Sequence, residues 1–255
     1  MHSKGKIFVV GLGALTKESI TYQAMEVLEN SDFVVGYTTY VNRIEKILPH
    51  LRYIKTGMKK EVERIQKAVQ LARDGYQVSV ICSGDAGIYA MAGLVFEVLE
   101  KQCLELPVEV IPGVPALAIC AAVLGAPLMN DFSVISFSNL LTPEDVIQKR
   151  LNAFLDADVV LVIYNPISKG RKALFERLWS EVVKKRSECW SGYVKNGGRE
   201  NQHLITRVCN LPLEEIDMNT LIIVGNSFTD NINGRLVTRR GYKLVLLEKL
   251  KAEEV

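Results

Sequence analysis

The sequence predicts an α/β protein of two domains. Short apolar runs alternate with amphipathic or charged stretches from end to end, the pattern of helices packed on a parallel or mixed sheet. Several apolar runs stop at Gly- or Pro-rich turns, as strands do before a helix. At 255 residues the chain is long enough for two cores of roughly 120 residues each. A break near Gly125-Ala126-Pro127 divides it into residues 1–127 and 128–255.

Ile7 to Val10 reads as a strand ending in Gly11-Leu12-Gly13, Ser19 to Leu28 as a helix, and Phe33 to Gly36 as a second strand. Val41 to Leu48 is a short helix that Pro49 stops. Lys59 to Arg73 is a charged amphipathic helix with Val62, Ile65, Val69 and Ala72 on one stripe, closed by Gly75. Val78 to Ile81 is a third strand, Gly93 to Lys101 a helix, and Val108 to Ile111 a strand entering Pro112-Gly113-Val114-Pro115. Small residues from Ala116 to Ala122 make a closely packed helix.

In the second half, Phe132 to Phe137 is a strand. Thr142 as N-cap, with Pro143 at the first helical position, opens a helix to Leu155. Val159 to Ile163 is a buried strand before Tyr164-Asn165-Pro166, and Lys172 to Lys185 is a helix. Tyr193 to Arg199 and His203 to Val208 form an antiparallel pair, and Leu221 to Val224 and Leu244 to Leu247 complete the sheet. This half is therefore more antiparallel than the first.

Composition narrows the function. With 31 basic and 29 acidic residues the net charge is +2, which excludes a general nucleic-acid binder. No apolar run reaches the ~20 residues a membrane span needs, and the N-terminus lacks a signal peptide's apolar segment, so a cytoplasmic protein is expected. The five cysteines are widely spaced and the three histidines form no ligand motif, so no protein-held metal is expected. Cys82 and Cys120 read as small core residues.

Three turns at strand ends carry the functional signal: Gly11/Gly13, Gly84-Asp85-Ala86-Gly87, and Pro112-Gly113. Open α/β sheets bind ligands at the carboxyl ends of their strands. The first turn lacks the third glycine of a dinucleotide fingerprint, since position 16 is Thr16, and no Walker-type Gly-Lys-Ser/Thr follows. Backbone groups at such apertures suit a small, flat, polar ligand without a phosphate cradle. For Asp85 the plainer reading is a helix N-cap.

The motifs Val35 to Tyr40, Thr56 to Arg64, Ser83 to Gly93, Leu140-Leu141-Thr142-Pro143, Tyr164-Asn165-Pro166, Asn196 to Glu200 and Val224 to Ser227 stand in an order that resembles the tetrapyrrole methylase family. Within it they are similar to the branch that methylates ring carbon 17 of precorrin-3B or cobalt-factor III, with ring contraction, in cobalamin biosynthesis. The resemblance implies S-adenosylmethionine as cofactor, a homodimer, and two α/β domains, the first sheet mostly parallel and the second mixed, with the active-site cleft between. It assigns Gly11, Gly13, Gly84, Asp85, Ile88, Pro115, Ala116, Asn165 and Gly197 to the cofactor. Lys59, Arg171 and Arg199 are assigned to substrate carboxylates, and Asp85, Tyr89 and Arg199 are candidates for acid–base work. Among other cations near loop openings, Lys169 is a further rim candidate, while Lys60 and Arg64 read as a solvated helix face. A sister methylase acting on another ring carbon and a non-catalytic tetrapyrrole-binding paralogue stay open. The family's first loop runs Gly-x-Gly-Pro-Gly-Asp, whereas Ala14-Leu15-Thr16 follows Gly13 here. Leucine resists positive φ, so this loop is expected to take a different path.

Overall fold

The computed structural model describes residues 5–167 and 170–242. Residue contacts divide the chain into Met1–Ile119 and Cys120–Val255. Lys169 and the strand expected over Leu244 to Leu247 lie outside the described residues.

The first unit holds β1 (Lys6–Gly11), α1 (Tyr22–Glu29), β2 (Phe33–Tyr37), α2 (Thr38–Ile44), β3 (Tyr53–Thr56), α3 (Glu61–Arg73), β4 (Gln77–Cys82), α4 (Met91–Lys101) and β5 (Val108–Ile111). Its five strands are all parallel, in the order β3-β2-β4-β1-β5. Successive residues point to opposite faces, which explains the continuous apolar runs of a sheet covered on both sides. Val10, Val34 and Ile81 pack with Ala24 and Leu28 of α1 and with Val41 and Ile44 of α2. Val9, Val35 and Val80 pack with Ile65 and Val69 of α3 and Val95 and Leu99 of α4. The chain leaves β1 through α1 on one face and leaves its neighbour β4 through α4 on the other. Adjacent strands whose exits diverge make a crevice at their carboxyl ends.

The boundaries show what local signals missed. A 3₁₀ turn over Lys17–Ser19 replaces the expected start of α1, which begins only where the Thr21 hydroxyl accepts from the Ala24 amide at 3.2 Å. α2 starts at Thr38, three residues early, and ends by Ile44. In α3 the buried stripe is Arg64, Ile65, Ala68, Val69 and Ala72, while Val62 is half exposed.

The division between the units falls inside α5 (Ala116–Leu124), upstream of the Gly125-Ala126-Pro127 break. The second unit continues with β6 (Gly125–Ala126), β7 (Phe132–Ser136), α6 (Glu144–Asp156), β8 (Val160–Tyr164), α7 (Lys172–Arg186), β9 (Trp190–Lys195), β10 (Gln202–Arg207), β11 (Thr220–Val224), β12 (Thr229–Ile232) and β13 (Arg235–Thr238). The sheet runs β10-β9-β11-β8-β7, with only β7 and β8 parallel. The β9–β10 pairing and the mixed character are as the sequence led one to expect. Ile147 and Leu151 of α6 and Phe175, Leu178 and Trp179 of α7 close the core against Ile135, Leu161, Ile163, Tyr193 and Ile222. Pro143 itself occupies the N-cap of α6, so Thr142 does not cap it. The β12–β13 hairpin was not anticipated, although Asn233-Gly234, at φ +51° and +77°, is the strongest short-range signal for one.

Arg186, only 4% exposed, ends α7 inside the unit. Its guanidinium donates to the carbonyls of Phe154 (3.3 Å), Leu155 (3.2 Å), Val159 (2.7 Å) and Gly225 (3.1 Å). It thereby satisfies carbonyls that the end of α6 leaves without helical partners.

Among the described residues no helix is long and apolar enough to cross a membrane.

Candidate active site

At the carboxyl ends of β1, β4 and β5 the three glycine turns interlock. Gly13 donates to the Gly84 carbonyl at 3.1 Å and Gly84 donates back at 2.7 Å, an isolated antiparallel bridge between the loops after β1 and β4. Asp85 ties in the others: Oδ1 accepts from the Gly87 amide at 2.8 Å and Oδ2 from the Gly113 amide at 3.1 Å. Asp85 therefore caps no helix, since α4 begins six residues later with Ala90 at its N-cap, and its carboxylate holds two turns together.

The glycines here do different jobs. A side chain on Gly11 would sit 2.7 Å from the Gly84 carbonyl oxygen, and one on Gly113 would sit 2.2 Å from it. One on Gly13 would meet the Ser19 carbonyl at 2.5 Å. These three glycines let backbone pack on backbone. Gly84, at φ +67°, is the exception: an added Cβ would meet nothing closer than the Ala116 amide nitrogen at 3.8 Å and the Pro115 Cα at 4.0 Å. The open side of this edge is thus at Gly84, facing Pro115 and Ala116. Ile88 and Val114 nearby leave apolar surface exposed, as does Tyr89, which sits at φ +51°.

The first loop corrects one expectation. Leu15 does adopt the left-handed conformation, at φ +63°, and is 5% exposed in the cluster with Val10, Leu12, Ile20, Ala24 and Leu28. Burying a leucine is worth about 1.5–3 kcal/mol, enough to offset the roughly 1–2 kcal/mol that left-handed backbone costs a residue with a Cβ. Ser19 closes the loop by donating to the Thr16 carbonyl at 3.0 Å.

A second correction concerns Arg64. It is buried, at 4% exposure. Its Nε donates to Thr56 Oγ1 at 2.7 Å and its Nη2 to the Gly57 carbonyl at 3.1 Å, and Thr56 in turn donates to the Gly36 carbonyl at 3.2 Å. Burial lowers the guanidinium's pKa, with Glu61 acting in the opposite sense. Arg64 fixes the turn that presents Lys59, which is exposed at φ +61°. That turn lies two strands from β4, about 10 Å along the edge at ~4.8 Å per strand.

In the second unit, β7, β8 and β9 run in the same direction, so the ends bearing Ser136, Asn165 and Asn196 share one edge. Asn165 takes φ +50° and donates through Nδ2 to Ser136 Oγ at 3.1 Å. The Ser138 amide donates to the same oxygen at 3.2 Å, and the Ser138 hydroxyl accepts from Arg171 Nη1. The structure therefore brings Asn165 and Arg171 together through two serines that sequence reading did not single out. The signal for them was their place directly at the end of a strand. Gly197 lies between Asn196 at φ +56° and Gly198 at φ +75°, with the Arg199 amide donating to the Asn196 carbonyl at 3.1 Å. This turn is separated from Asn165 by β11. Lys195 beside it pairs with Asp217 at 2.7 Å.

Cys82 and Cys120 are buried, and burial pushes both thiols up to about 12. Among the described residues no group of three or more His, Cys, Asp or Glu could hold a metal ion.

Known proteins bear on this arrangement. The family of tetrapyrrole (corrin/porphyrin) methylases matches residues 6–212. A "Probable cobalt-factor III C(17)-methyltransferase" of Salmonella typhimurium is 43% identical over 92% of this chain and 99% of its own length. The "Cobalamin biosynthesis protein CbiHC" of Archaeoglobus fulgidus is 40% identical over 99% of this chain, which spans only 57% of that longer protein. The crystal structure of the methyltransferase CobJ superposes with a TM-score of 0.86 at 30% identity, covering 92% of this chain and all of that one. With most of its length matched in sequence and its fold matched over 92% of the chain, the chain belongs to the tetrapyrrole methylase family.

Proposed function

We propose that the chain transfers a methyl group from S-adenosylmethionine to ring carbon 17 of a cobalt-factor III or precorrin-3B type tetrapyrrole, with ring contraction, in cobalamin biosynthesis. The observation that carries this reading is the 43% identity over nearly the full length of a cobalt-factor III C(17)-methyltransferase.

The residues present fit the cofactor. Gly84 leaves free space where any other residue would place a Cβ, with Pro115 and Ala116 the nearest backbone, and Ile88 and Val114 expose apolar surface in the same turns. Gly11, Gly13 and Asp85 hold that edge in shape, and Asn165 and Gly197 are the second unit's proposed contributors. When bound, S-adenosylmethionine supplies a methyl on a sulfonium, already activated toward an electron-rich carbon. The chain's own residues then have mainly to hold and orient the reactants, which can lower a barrier by roughly 7–11 kcal/mol. A rigid backbone floor suits that task. Lys59, Arg171 and Arg199 are the proposed partners for substrate carboxylates, with guanidinium giving paired bonds. Ring contraction needs proton movement; Asp85, Tyr89 and Arg199 are the candidates, and Asp85 also accepts from two backbone amides. The same reading takes the enzyme as a cytoplasmic homodimer.

The test is incubation with S-adenosylmethionine and cobalt-factor III, followed by mass spectrometry and product NMR. A product one methyl heavier, substituted at carbon 17, is expected. Methylation at another carbon would make the chain a sister methylase, and no methylated product would remove the enzyme reading.

A further inference from the structure

The loop between β7 and α6 holds two leucines out in solvent: Leu140 is 74% exposed and Leu141 98% exposed. The loop is anchored at both ends. The Ser138 amide is fixed on Ser136 Oγ at 3.2 Å, and Asn139 Nδ2 donates to Glu144 Oε1 at 2.8 Å. Glu144 is held in turn by an ion pair with Arg177, which together with Asn139 lowers its pKa. Two adjacent, nearly fully exposed leucines on a pinned loop contribute nothing to the core and mark a surface built to meet something apolar.

Its neighbours say what. Arg171 reaches the hydroxyl of Ser138, two residues before Leu140, and Asn165 is linked to the same loop through Ser136. An apolar pair beside a guanidinium complements a ligand that is flat and apolar in the middle and carboxylated at its margin. We propose that Leu140 and Leu141 seat one face of the tetrapyrrole macrocycle while Arg171, positioned by Ser138, pairs with a peripheral carboxylate. This rests on the tetrapyrrole being the substrate, and it adds a recognition surface to that reading.

The test uses the full chain with Leu140→Ser and Leu141→Ser combined. Fluorescence titration with uroporphyrin, a carboxylated porphyrin, measures ring binding independently of turnover. Calorimetry with S-adenosylhomocysteine measures the cofactor site, and sedimentation measures assembly. Expected are a porphyrin Kd about tenfold weaker, which corresponds to about 1.4 kcal/mol, with cofactor affinity, melting temperature and assembly unaltered. Ser138→Ala should weaken porphyrin binding without changing cofactor affinity, and Ser138→Thr, which keeps the hydroxyl, should restore it. An unchanged porphyrin Kd in the double variant overturns the proposal. So does a shift in sedimentation, because the leucines would then cover a second copy of the chain. A wild-type protein that binds porphyrin through these leucines yet methylates nothing would leave the seat standing and remove the methyltransferase reading.

Discussion

Leu15 offers the sharpest test of the forces in the first loop, through Leu15→Ala and Leu15→Gly. At an ordinary position glycine is less stable than alanine by roughly 0.5–1 kcal/mol, because the unfolded chain gains freedom. Leu15 sits at φ +63°, where any residue with a Cβ pays about 1–2 kcal/mol that glycine does not. Truncation to alanine removes a side chain that is 5% exposed and should cost about 2–5 kcal/mol, with the backbone penalty retained. Truncation to glycine loses the same packing and a little more, but releases the penalty. The two effects oppose each other, and the balance makes Leu15→Gly equal to Leu15→Ala or more stable by up to ~1 kcal/mol. Urea denaturation of the three proteins, fitted with a common slope, measures this. A glycine variant less stable than the alanine variant by the ordinary 0.5–1 kcal/mol would refute the claim that buried packing holds Leu15 against its backbone preference.

Four further outcomes rest on the same geometry. Gly113→Ala should be severely destabilising, because its Cβ would lie 2.2 Å from the Gly84 carbonyl oxygen; Gly84→Ala should cost only about 1–2 kcal/mol yet weaken S-adenosylhomocysteine, and calorimetry with thermal melts separates the two. Arg186→Met should destabilise by about 3 kcal/mol in chemical denaturation, since it strands the carbonyls of Phe154, Val159 and Gly225; a near-neutral result would mean that water replaces the guanidinium. Cys82 and Cys120, with thiols raised to about 12, should resist a thiol reagent at pH 8 until unfolding, whereas exposed Cys103 and Cys209 react at once. A thiol raised on folding keeps its proton in the folded state, so the contribution of these two cysteines is complete below about pH 9 and is lost as pH rises toward 12; a melting temperature that holds constant over that range in wild type would count against it.

The first sheet was legible because its strands are buried on both faces: Ile7 to Val10 is a continuous apolar run, and Val78 to Ile81 is apolar but for the buried Ser79. The second sheet's antiparallel pairing was legible from the two apolar segments around Asn196-Gly197-Gly198. What escaped were cases where side-chain chemistry and period disagree. Arg64 stands one helical turn before Ala68 on the buried face, but a charged side chain argued for solvent, and Thr56, the Gly57 carbonyl and Met91 Sδ make its burial tolerable. Leu15 is the mirror case, in which burial outweighed a backbone preference. At the carboxyl edge of the first sheet, the glycine positions marked the turns that interlock, but only the folded structure divides those that pack backbone on backbone from Gly84, which opens outward. Ser136 and Ser138 could not be found by composition, since their role comes from strand register.

The reciprocal bridge between Gly13 and Gly84 bears on how such a protein can change over time. Where a site is shaped by side chains, every lining position is a target at which substitution alters it. Here the floor is peptide backbone, and the positions that could deform it outright are a few glycines and Asp85. The rest of the surroundings can vary without moving the floor. On the proposed function, new ring specificities would arise in the peripheral loops, around Lys59 or Leu140 and Leu141, while the backbone floor proposed to seat the methyl donor is inherited intact.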